Sequence, residues 1–337
     1  MEPKHILIVR FSSLGDIILA TSILPAIKKI LPEADITFLT KREYVEVFSG
    51  NPNLKEVVGL EKEDLKIGNF VKIAESFNGK YDLIIDLHAN LRSFLLRAYS
   101  GIETKVYRKA AFRRRRMVGH AFTRGIFTFL PEIYKKEENV IANYFKTLQT
   151  LGIVYDGNLP EIFLPEKKRK VTAKIVGIHA GGKQNTKRWP AEKFAEVANY
   201  YAGKGLRVIL LGEEKDKEIN SKIMALAVNK QNMTDLAGKT TFKELAAEIR
   251  DCAVLVTNDS APFHIATAVK TPALVIFCAT TPKFGFALSA KNNRIVNVEL
   301  PCKPCSLHGG KSCWLGHFRC AGSIKAREVI RAIEEII

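Results

Sequence analysis

Val256-Thr-Asn-Asp-Ser-Ala-Pro-Phe-His264-Ile-Ala-Thr-Ala268 decides how this chain is read. The apolar run 253–256 has the character of a buried parallel strand. Asn258, Asp259 and Ser260 end it with residue types that cap helices. Pro262 falls in a first helical turn, where a missing N–H costs nothing. A helix that starts at the C-terminal end of a parallel strand turns free N–H groups and a positive dipole end toward a ligand crevice. That geometry suits a diphosphate, with Asp259, Ser260 and His264 gathered beside it. An ordinary capped helix has the same local pattern, so the rest of the chain must discriminate.

At 337 residues the chain is long enough for two domains, each with its own core. Its 47% hydrophobic and 26% charged residues are the balance of a soluble globular protein. There is no apolar run of about 18 residues, which argues against a transmembrane helix. The N-terminus, Met-Glu-Pro-Lys-His, lacks a signal-peptide pattern, so the expected location is the cytoplasm. The net charge of +17, from 52 basic and 35 acidic residues, implies an anionic partner: nucleic acid, anionic lipid or a phosphorylated glycan. The excess is concentrated. Residues 105–124 hold eight Lys and Arg and no acidic residue, including Arg113-Arg-Arg-Arg116.

Strand and helix patterns alternate along the chain. Strands are predicted at 5–10, 35–40, 81–87, 174–179, 206–211, 253–256 and 273–277. Helices are predicted at 16–31 (kinked at Pro25), 64–77, 91–99, 137–151, 191–203, 215–228, 242–250 and 325–337. Residues 152–170 change character, with Gly, Pro and a charged Glu-Lys-Lys-Arg-Lys run, and read as an interdomain linker. The expected architecture is therefore α/β: two Rossmann-like, doubly wound parallel-sheet domains facing a cleft. The first domain is placed at 1–158 and the second at 171–322. A C-terminal helix at 323–337 is a candidate to pack back on the first domain.

Three further turns carry polar groups. Arg10-Phe-Ser-Ser-Leu-Gly-Asp16 follows the first strand and is not a GxGxxG dinucleotide fingerprint. Its Asp16 is either a helix cap or a general base. His179-Ala-Gly-Gly-Lys-Gln-Asn-Thr-Lys-Arg-Trp-Pro190 opens the second domain. There Gly181 and Gly182 admit close backbone approach to an anion, and Lys183, Lys187 or Arg188 could neutralise phosphate; a solvated loop is the alternative. Leu210-Leu-Gly-Glu-Glu-Lys215 offers Glu213 or Glu214 to ribose hydroxyls, or merely supplies acidic bias to a helix start.

Six cysteines are present. Cys252 and Cys278 lie in apolar segments and read as core. Cys302, Cys305, Cys313 and Cys320 are separated by 2, 7 and 6 residues, a spacing compatible with a structural zinc, with free thiols as the default.

Taken in order, Arg10-Phe-Ser-Ser-Leu-Gly-Asp16, Lys187-Arg-Trp-Pro190, Leu211-Gly-Glu-Glu214 and Asn258-Asp-Ser-x-x-x-His264 resemble the bacterial ADP-heptose:lipopolysaccharide heptosyltransferases. Asp86-Leu-His-Ala-Asn-Leu-Arg-Ser93 and Thr271-Pro-Ala-Leu-Val-Ile-Phe277 extend the likeness to nearly the whole chain. The resemblance implies a two-domain GT-B glycosyltransferase that moves heptose from ADP-heptose to Kdo or heptose of the lipopolysaccharide inner core, with inversion and without a metal cofactor. It implies Asp16 as catalytic base, Lys187 on the donor diphosphate and Glu214 on the ribose. Asp259, Ser260, Ala261 and His264 would line the diphosphate and sugar site. The absence of an Asp-x-Asp motif fits metal independence. Two departures stand out: Ala261 replaces a usual Gly, and His179-Ala-Gly-Gly replaces a Pro-Gly-Ala-like loop.

Under this resemblance Arg113, Arg114, Arg115 and Arg116 become candidates to bind the carboxylates and phosphates of a Kdo-bearing lipid A acceptor, or the anionic membrane itself. The enzyme would then work at the inner face of the cytoplasmic membrane. Nucleic acid is not expected, since no RNP-like or helix-turn-helix signature is present. Two alternatives remain: the same fold with a different nucleotide sugar, and a non-catalytic basic module that binds nucleic acid or membrane.

Overall fold

The strand β1 (His5–Val9) buries four of its five residues, because its apolar run has helices to cover it and paired strands on either side. The structure, a computed structural model, describes residues 2–123, 138–166, 174–288 and 292–337. The chain divides into two compact units, residues 1–109 with 140–164, and residues 110–139 with 165–337.

The first unit runs from β1 through α1 (Leu14–Ala20), α2 (Ile23–Ile30), β2 (Asp35–Lys41), β3 (Glu56–Leu60), α3 (Ile67–Glu75), β4 (Leu83–Asp86), α4 (Leu91–Ser100) and β5 (Thr104–Val106). Its sheet has the order β3-β2-β1-β4-β5, and the strand pairs are parallel. The order reverses between β1 and β4, so the C-terminal ends of those two strands bound the natural ligand crevice of this sheet. The sequence predicts a single kinked helix over 16–31; the structure has two. Thr21 and Ser22 turn their hydroxyls back to Ile18 O and Leu19 O, each at 2.7 Å, and Pro25 has no N–H to continue the ladder.

The basic segment forms α5 (Ala111–Phe122), which clusters with the second unit, whereas the sequence reading assigned 1–158 to one domain. Helix α6 (Val140–Lys146) returns to the first unit and buries Val140, Ile141, Tyr144 and Phe145.

The second unit continues with β6 (Ile175–His179), α7 (Ala191–Gly203), β7 (Arg207–Leu210), α8 (Lys217–Ala225), β8 (Met233–Asp235), α9 (Phe242–Arg250), β9 (Val254–Asn258), α10 (Ala261–Ala268), β10 (Ala273–Phe277), β11 (Arg294–Asn297), α11 (Arg319–Gly322) and α12 (Ala326–Glu334). Its parallel sheet has the order β11-β10-β9-β6-β7-β8, reversing between β6 and β9. Helix α12 buries Val329 and Ile333 in the core of this same unit, where Tyr201 donates to Ile330 O. It is thus built into the second unit. Among the described residues no helix is long and apolar enough to cross a membrane.

Trp189 joins three parts of the second core. It is fully buried, donates Nε1–H to Ile324 O at 3.3 Å and meets Phe194 edge-on at 4.9 Å. Trp189→Ala should lower unfolding stability by about 3–5 kcal/mol, read from the denaturant midpoint at unchanged slope. An unaltered midpoint would show that the surrounding helices close the gap.

Candidate active site

At the reversal point of the second sheet, β9 ends in Asn258, whose side chain is fully buried. Its Nδ2 donates to Ala180 O at 2.8 Å and to Gly181 O at 3.0 Å, and its Oδ1 accepts from Trp189 N at 2.9 Å. One amide therefore fixes both ends of the 180–189 loop against the start of α10. Ser260 occupies the N-cap position, but its hydroxyl donates to Asn258 O, and no side chain caps the helix. The first turn of α10 keeps its positive end, with Pro262 lacking an N–H there in any case.

Lys187 Nζ lies 2.7 Å from Asp259 Oδ2, and Thr280 Oγ1 donates to the same oxygen at 2.7 Å. The structure thus brings Lys187, Asp259, Ser260, Ala261 and His264 to one place, as the motif reading expects. The ammonium has an internal counter-ion here, so a phosphate must compete with the Asp259 carboxylate for it. Arg188 is otherwise engaged: its Nε and Nη2 donate to Gly182 O at 2.8 and 2.6 Å, which folds it onto the loop backbone. Glu214 lies in a short 3-10 turn after β7, exposed and 2.7 Å from Lys217 Nζ. It passes over the backbone of Gly238, where a Cβ would meet Glu214 Oε2 at 2.2 Å.

Asp216 escaped the sequence reading. It is buried between Gly181 and Gly212, and a Cβ on either glycine would come within 2.3 and 2.7 Å of its side chain. Its Oδ2 accepts from Glu213 N at 3.0 Å and lies 3.8 Å from His179 Nε2. Burial lowers the His179 pKa, and Asp216 opposes that shift. The two glycines were the available signal: each makes room for this carboxylate, which joins the turn after β6 to the turn after β7.

In the first unit, the turn after β1 ends in Asp16. Arg10 Nη2 lies 2.8 Å from Asp16 Oδ1, and Ser13 donates to Oδ2 through N at 3.2 Å and Oγ at 2.8 Å. Burial would raise the Asp16 pKa, but Arg10 and the Ser13 hydrogen bonds outweigh it and hold the carboxyl below its usual value. Arg10 itself is anchored by Leu87 O, after β4, so both strands at the reversal point converge on this pair. Beside it, His88 packs edge-on to Phe11 at 5.2 Å. Burial, then Arg10 and Lys109, push its pKa down to about 3, which keeps the ring neutral. Asp86 does structural work: its Oδ1 accepts from His88 N and Ala89 N, and its Oδ2 lies 3.3 Å from Arg97 Nε.

The sequence profile of glycosyltransferase family 9 (heptosyltransferase) matches residues 70–312. This chain belongs to that family. It is 29% identical to lipopolysaccharide heptosyltransferase 3 of Escherichia coli over 282 residues, 79% of this chain and 81% of the relative. The structure of a family 9 glycosyltransferase from Veillonella parvula superposes with a TM-score of 0.78 at 23% identity, covering 99% of this chain and 97% of that one. The structure of Escherichia coli ADP-heptose LPS heptosyltransferase II gives 0.74 at 21% identity, with 98% of each chain covered. The fold is therefore the GT-B arrangement of two parallel-sheet domains, and the chain is a glycosyltransferase.

Against this family background, Ala261 is the first residue of α10 and is not among the residues with positive φ. The position therefore makes no conformational demand for glycine, and its methyl acts only by occupying space.

The four arginines separate. Arg113 and Arg114 approach Glu138 at 3.4 and 3.9 Å, Arg113 also donates to Lys283 O, and Arg114 lies over Phe286 at 4.8 Å. Arg115 and Arg116 are exposed. The run therefore does not present one continuous cationic face.

The C-terminal cysteines are free thiols. Burial first, then the neighbouring Cys302 and Cys320, push the Cys305 thiol up to about 11, so it stands protonated. Among the described residues no group of three or more His, Cys, Asp or Glu side chains is arranged to hold a metal ion. The spacing-based zinc reading does not fit this arrangement.

What the cysteine loop does instead is brace the Lys187 turn. Thr186 N donates to Gly310 O at 3.1 Å, and Gly310 N donates to Thr186 Oγ1 at 2.8 Å. Ala279 N donates to Thr186 O, and Cys305 N to Ala279 O. Gly309 has φ +84°, and a Cβ there would sit 2.7 Å from Lys187 Cγ. Gly309→Ala should displace the lysine stem and weaken nucleoside diphosphate binding several-fold. Gly316→Ala, at a left-handed glycine with open space around it, should leave binding unchanged. Equal affinities in calorimetry would remove the brace from the account.

Proposed function

We propose that this chain transfers heptose from ADP-heptose to Kdo or heptose in the inner core of a lipid A-bearing lipopolysaccharide acceptor, with inversion at the anomeric carbon. The observation that carries the reading is the Lys187–Asp259 pair beside the open start of α10, at the sheet reversal, in a chain of family 9. The names of relatives in Escherichia coli supply the sugar and the acceptor.

In this reading Lys187 exchanges Asp259 for the donor diphosphate, and Glu214 receives the ribose hydroxyls. Asp259, Ser260, Ala261 and His264 surround the diphosphate and sugar. Asp16 takes the proton of the acceptor hydroxyl. The oxygen forms its bond to the anomeric carbon while the bond from that carbon to ADP breaks, and ADP leaves with the electron pair. Lys187 and the helix dipole stabilise the charge that develops on the leaving group, the task a cation performs in metal-dependent transferases. The chain needs no metal cofactor in this scheme.

Titration calorimetry without added metal tests the donor half. ADP should bind in preference to UDP, and Lys187→Ala should weaken ADP binding by about tenfold or more, the loss of one charge-assisted contact. Equal affinity for both nucleotides would replace ADP by another donor, and no binding by a folded protein would end the transferase mechanism written here.

The acceptor half is tested by Asp16→Asn. Removal of a general base should slow turnover by about 10²- to 10⁴-fold while ADP affinity stays at the wild-type value. The pH profile gives an independent check. Only the ionised carboxylate acts as base, and its pKa lies below the usual value, so the rate should stay level on acidification until below about pH 4. An acid limb near neutrality would assign the base role to another group.

A further inference from the structure

We propose that His88 touches the acceptor sugar, its Nε2–H donating to a sugar oxygen next to the hydroxyl that Asp16 deprotonates. The inference rests on the acceptor reading above and adds a residue that the reading does not use. Strand register pairs Val9 with Asp86, so the turns that follow β1 and β4 leave the sheet side by side. One buried guanidinium ties them together. Arg10 reaches Asp16 Oδ1 through Nη2 at 2.8 Å and donates through Nη1 to the carbonyl of Leu87, the residue before His88. Phe11, from the same turn as Asp16, meets the His88 ring edge-on at 5.2 Å and the Phe70 ring edge-on at 5.7 Å. The carboxylate and the imidazole are thus set at one sheet reversal by one arginine and one phenylalanine.

The turn after β4 is built to hold this side chain. Asp86 Oδ1 accepts from His88 N at 2.9 Å and from Ala89 N at 2.8 Å. Ala89 adopts φ +47°, a left-handed conformation uncommon for a residue with a Cβ. Asn90 and Ser93 then cap each other at the start of α4, at 2.9 and 3.0 Å. The polar side chains around the ring are engaged within the protein: Asp86 with Arg97, Arg92 with Leu65 O at 3.3 Å, and Lys109 with Ala89 O at 3.1 Å. His88 differs from them. Its Nδ1 is sealed from solvent with no hydrogen-bond partner, while the residue as a whole keeps 9% of its surface accessible.

The ring's own chemistry says how it acts. A neutral imidazole has one N–H and one lone pair. A sealed N–H without an acceptor is the rarer and costlier orphan, so the lone pair belongs on Nδ1 and the proton on Nε2. Packing alone does not account for a histidine here, since a phenylalanine would fill the space beside Phe11 without burying a nitrogen. An uncharged donor among Arg10, Lys109 and Arg92 suits an uncharged sugar oxygen and does not compete with Asp16 for a proton. Donation to the attacking oxygen itself would draw electron density from the nucleophile, so the productive partner is the neighbouring oxygen. Asp16 on one hydroxyl and His88 on the next hold the sugar in one orientation and present a single nucleophile.

The test uses the full chain and inner-core oligosaccharides freed of their acyl chains, one ending in Kdo and one in heptose. In NMR of the chain with isotopically labelled histidine and no donor added, His88 should show the Nε2–H tautomer, and its Nε2 signal should move when an oligosaccharide binds. Binding that leaves the signal in place would overturn the proposal and leave the acceptor reading standing. A folded chain that binds ADP but neither oligosaccharide would overturn both. In steady-state transfer, His88→Phe should raise the acceptor KM about tenfold, the loss of one hydrogen bond, at unchanged ADP affinity. His88→Gln, whose amide nitrogen reaches the place of Nε2, should stay within about threefold of wild type. His88→Asn, whose amide stops at the place of Nδ1, should behave as the phenylalanine variant. A histidine with only a structural role would not separate the two amides. Equal KM for the glutamine and asparagine variants, or a wild-type KM for His88→Phe, would overturn the proposal. Melting temperatures confirm that the variants are folded, and the amide pair decides if His88→Phe is not.

Discussion

The buried amide of Asn258 is the constraint on which the second unit depends. A parallel strand order that reverses between β6 and β9 leaves two chain ends diverging at the same point. Something must hold them together without closing the crevice. Asn258 does so with both functions of one side chain, donating to Ala180 O and Gly181 O and accepting from Trp189 N. An aspartate would lose the donors and a leucine both functions, leaving buried backbone groups unpaired at about 1–3 kcal/mol each. Asp216 repeats the logic one turn away, wedged between Gly181 and Gly212. The 180–189 turn is thus fixed from both sides by buried polar groups, and Lys187 extends from a backbone that is already ordered.

Both units hold a charged motif residue against an internal partner. Asp16 is paired with Arg10, and Lys187 with Asp259. A lone charge at such partly buried positions would cost several kcal/mol of desolvation, and a counter-ion near 3 Å offsets much of it. The two pairs have different consequences. Arg10 is anchored to Leu87 O and stays with Asp16, keeping the carboxylate ionised and aimed. Asp259 is held by Thr280 as well as by Lys187, so its position does not rest on the lysine alone. Preorganisation of this kind limits the rearrangement that must accompany the reaction.

What could be read from the sequence follows from where the residues sit. The central strands were legible because burial on both faces leaves continuous apolar runs, as in Ile6-Leu-Ile-Val9 and Ala273-Leu-Val-Ile-Phe277. The strands that were missed, β3, β5, β8 and β11, are the four edges of the two sheets. Thr104-Lys-Val106 and Met233-Thr-Asp235 are short and half-exposed, and carry no periodic signal. Helix α5 was missed for a related reason: four consecutive arginines hide a narrow buried stripe of Met117 and Ala121. The grouping of Lys187 with Asp259, Ser260 and His264 was legible because strand-to-helix turns are local. Asp216 and the Thr186–Gly310 brace were not, since each depends on segments far apart in sequence. The cysteine spacing left a structural zinc open beside the default of free thiols, because spacing constrains only separation along the chain, while metal binding also requires converging thiolates.

The strong positive charge of the chain invites the idea that its anion affinity is a bulk property. The arrangement of cations argues otherwise. Arg10, Arg97 and Lys187 each face a carboxylate at 4 Å or less, Arg113 and Arg114 share the single carboxylate of Glu138, and Arg188 is matched to a backbone carbonyl. Charges so paired contribute little to a long-range field, because their partners cancel them within a Debye length of about 8 Å. What distinguishes the Lys187 turn is therefore its geometry: a lysine paired with Asp259 beside the uncapped start of α10. The excess that remains uncompensated lies elsewhere, with Arg115 and Arg116 on the exposed face of α5 among its members. A chain that pairs its buried cations internally leaves its long-range field to the exposed ones, and that field weakens steeply with added salt.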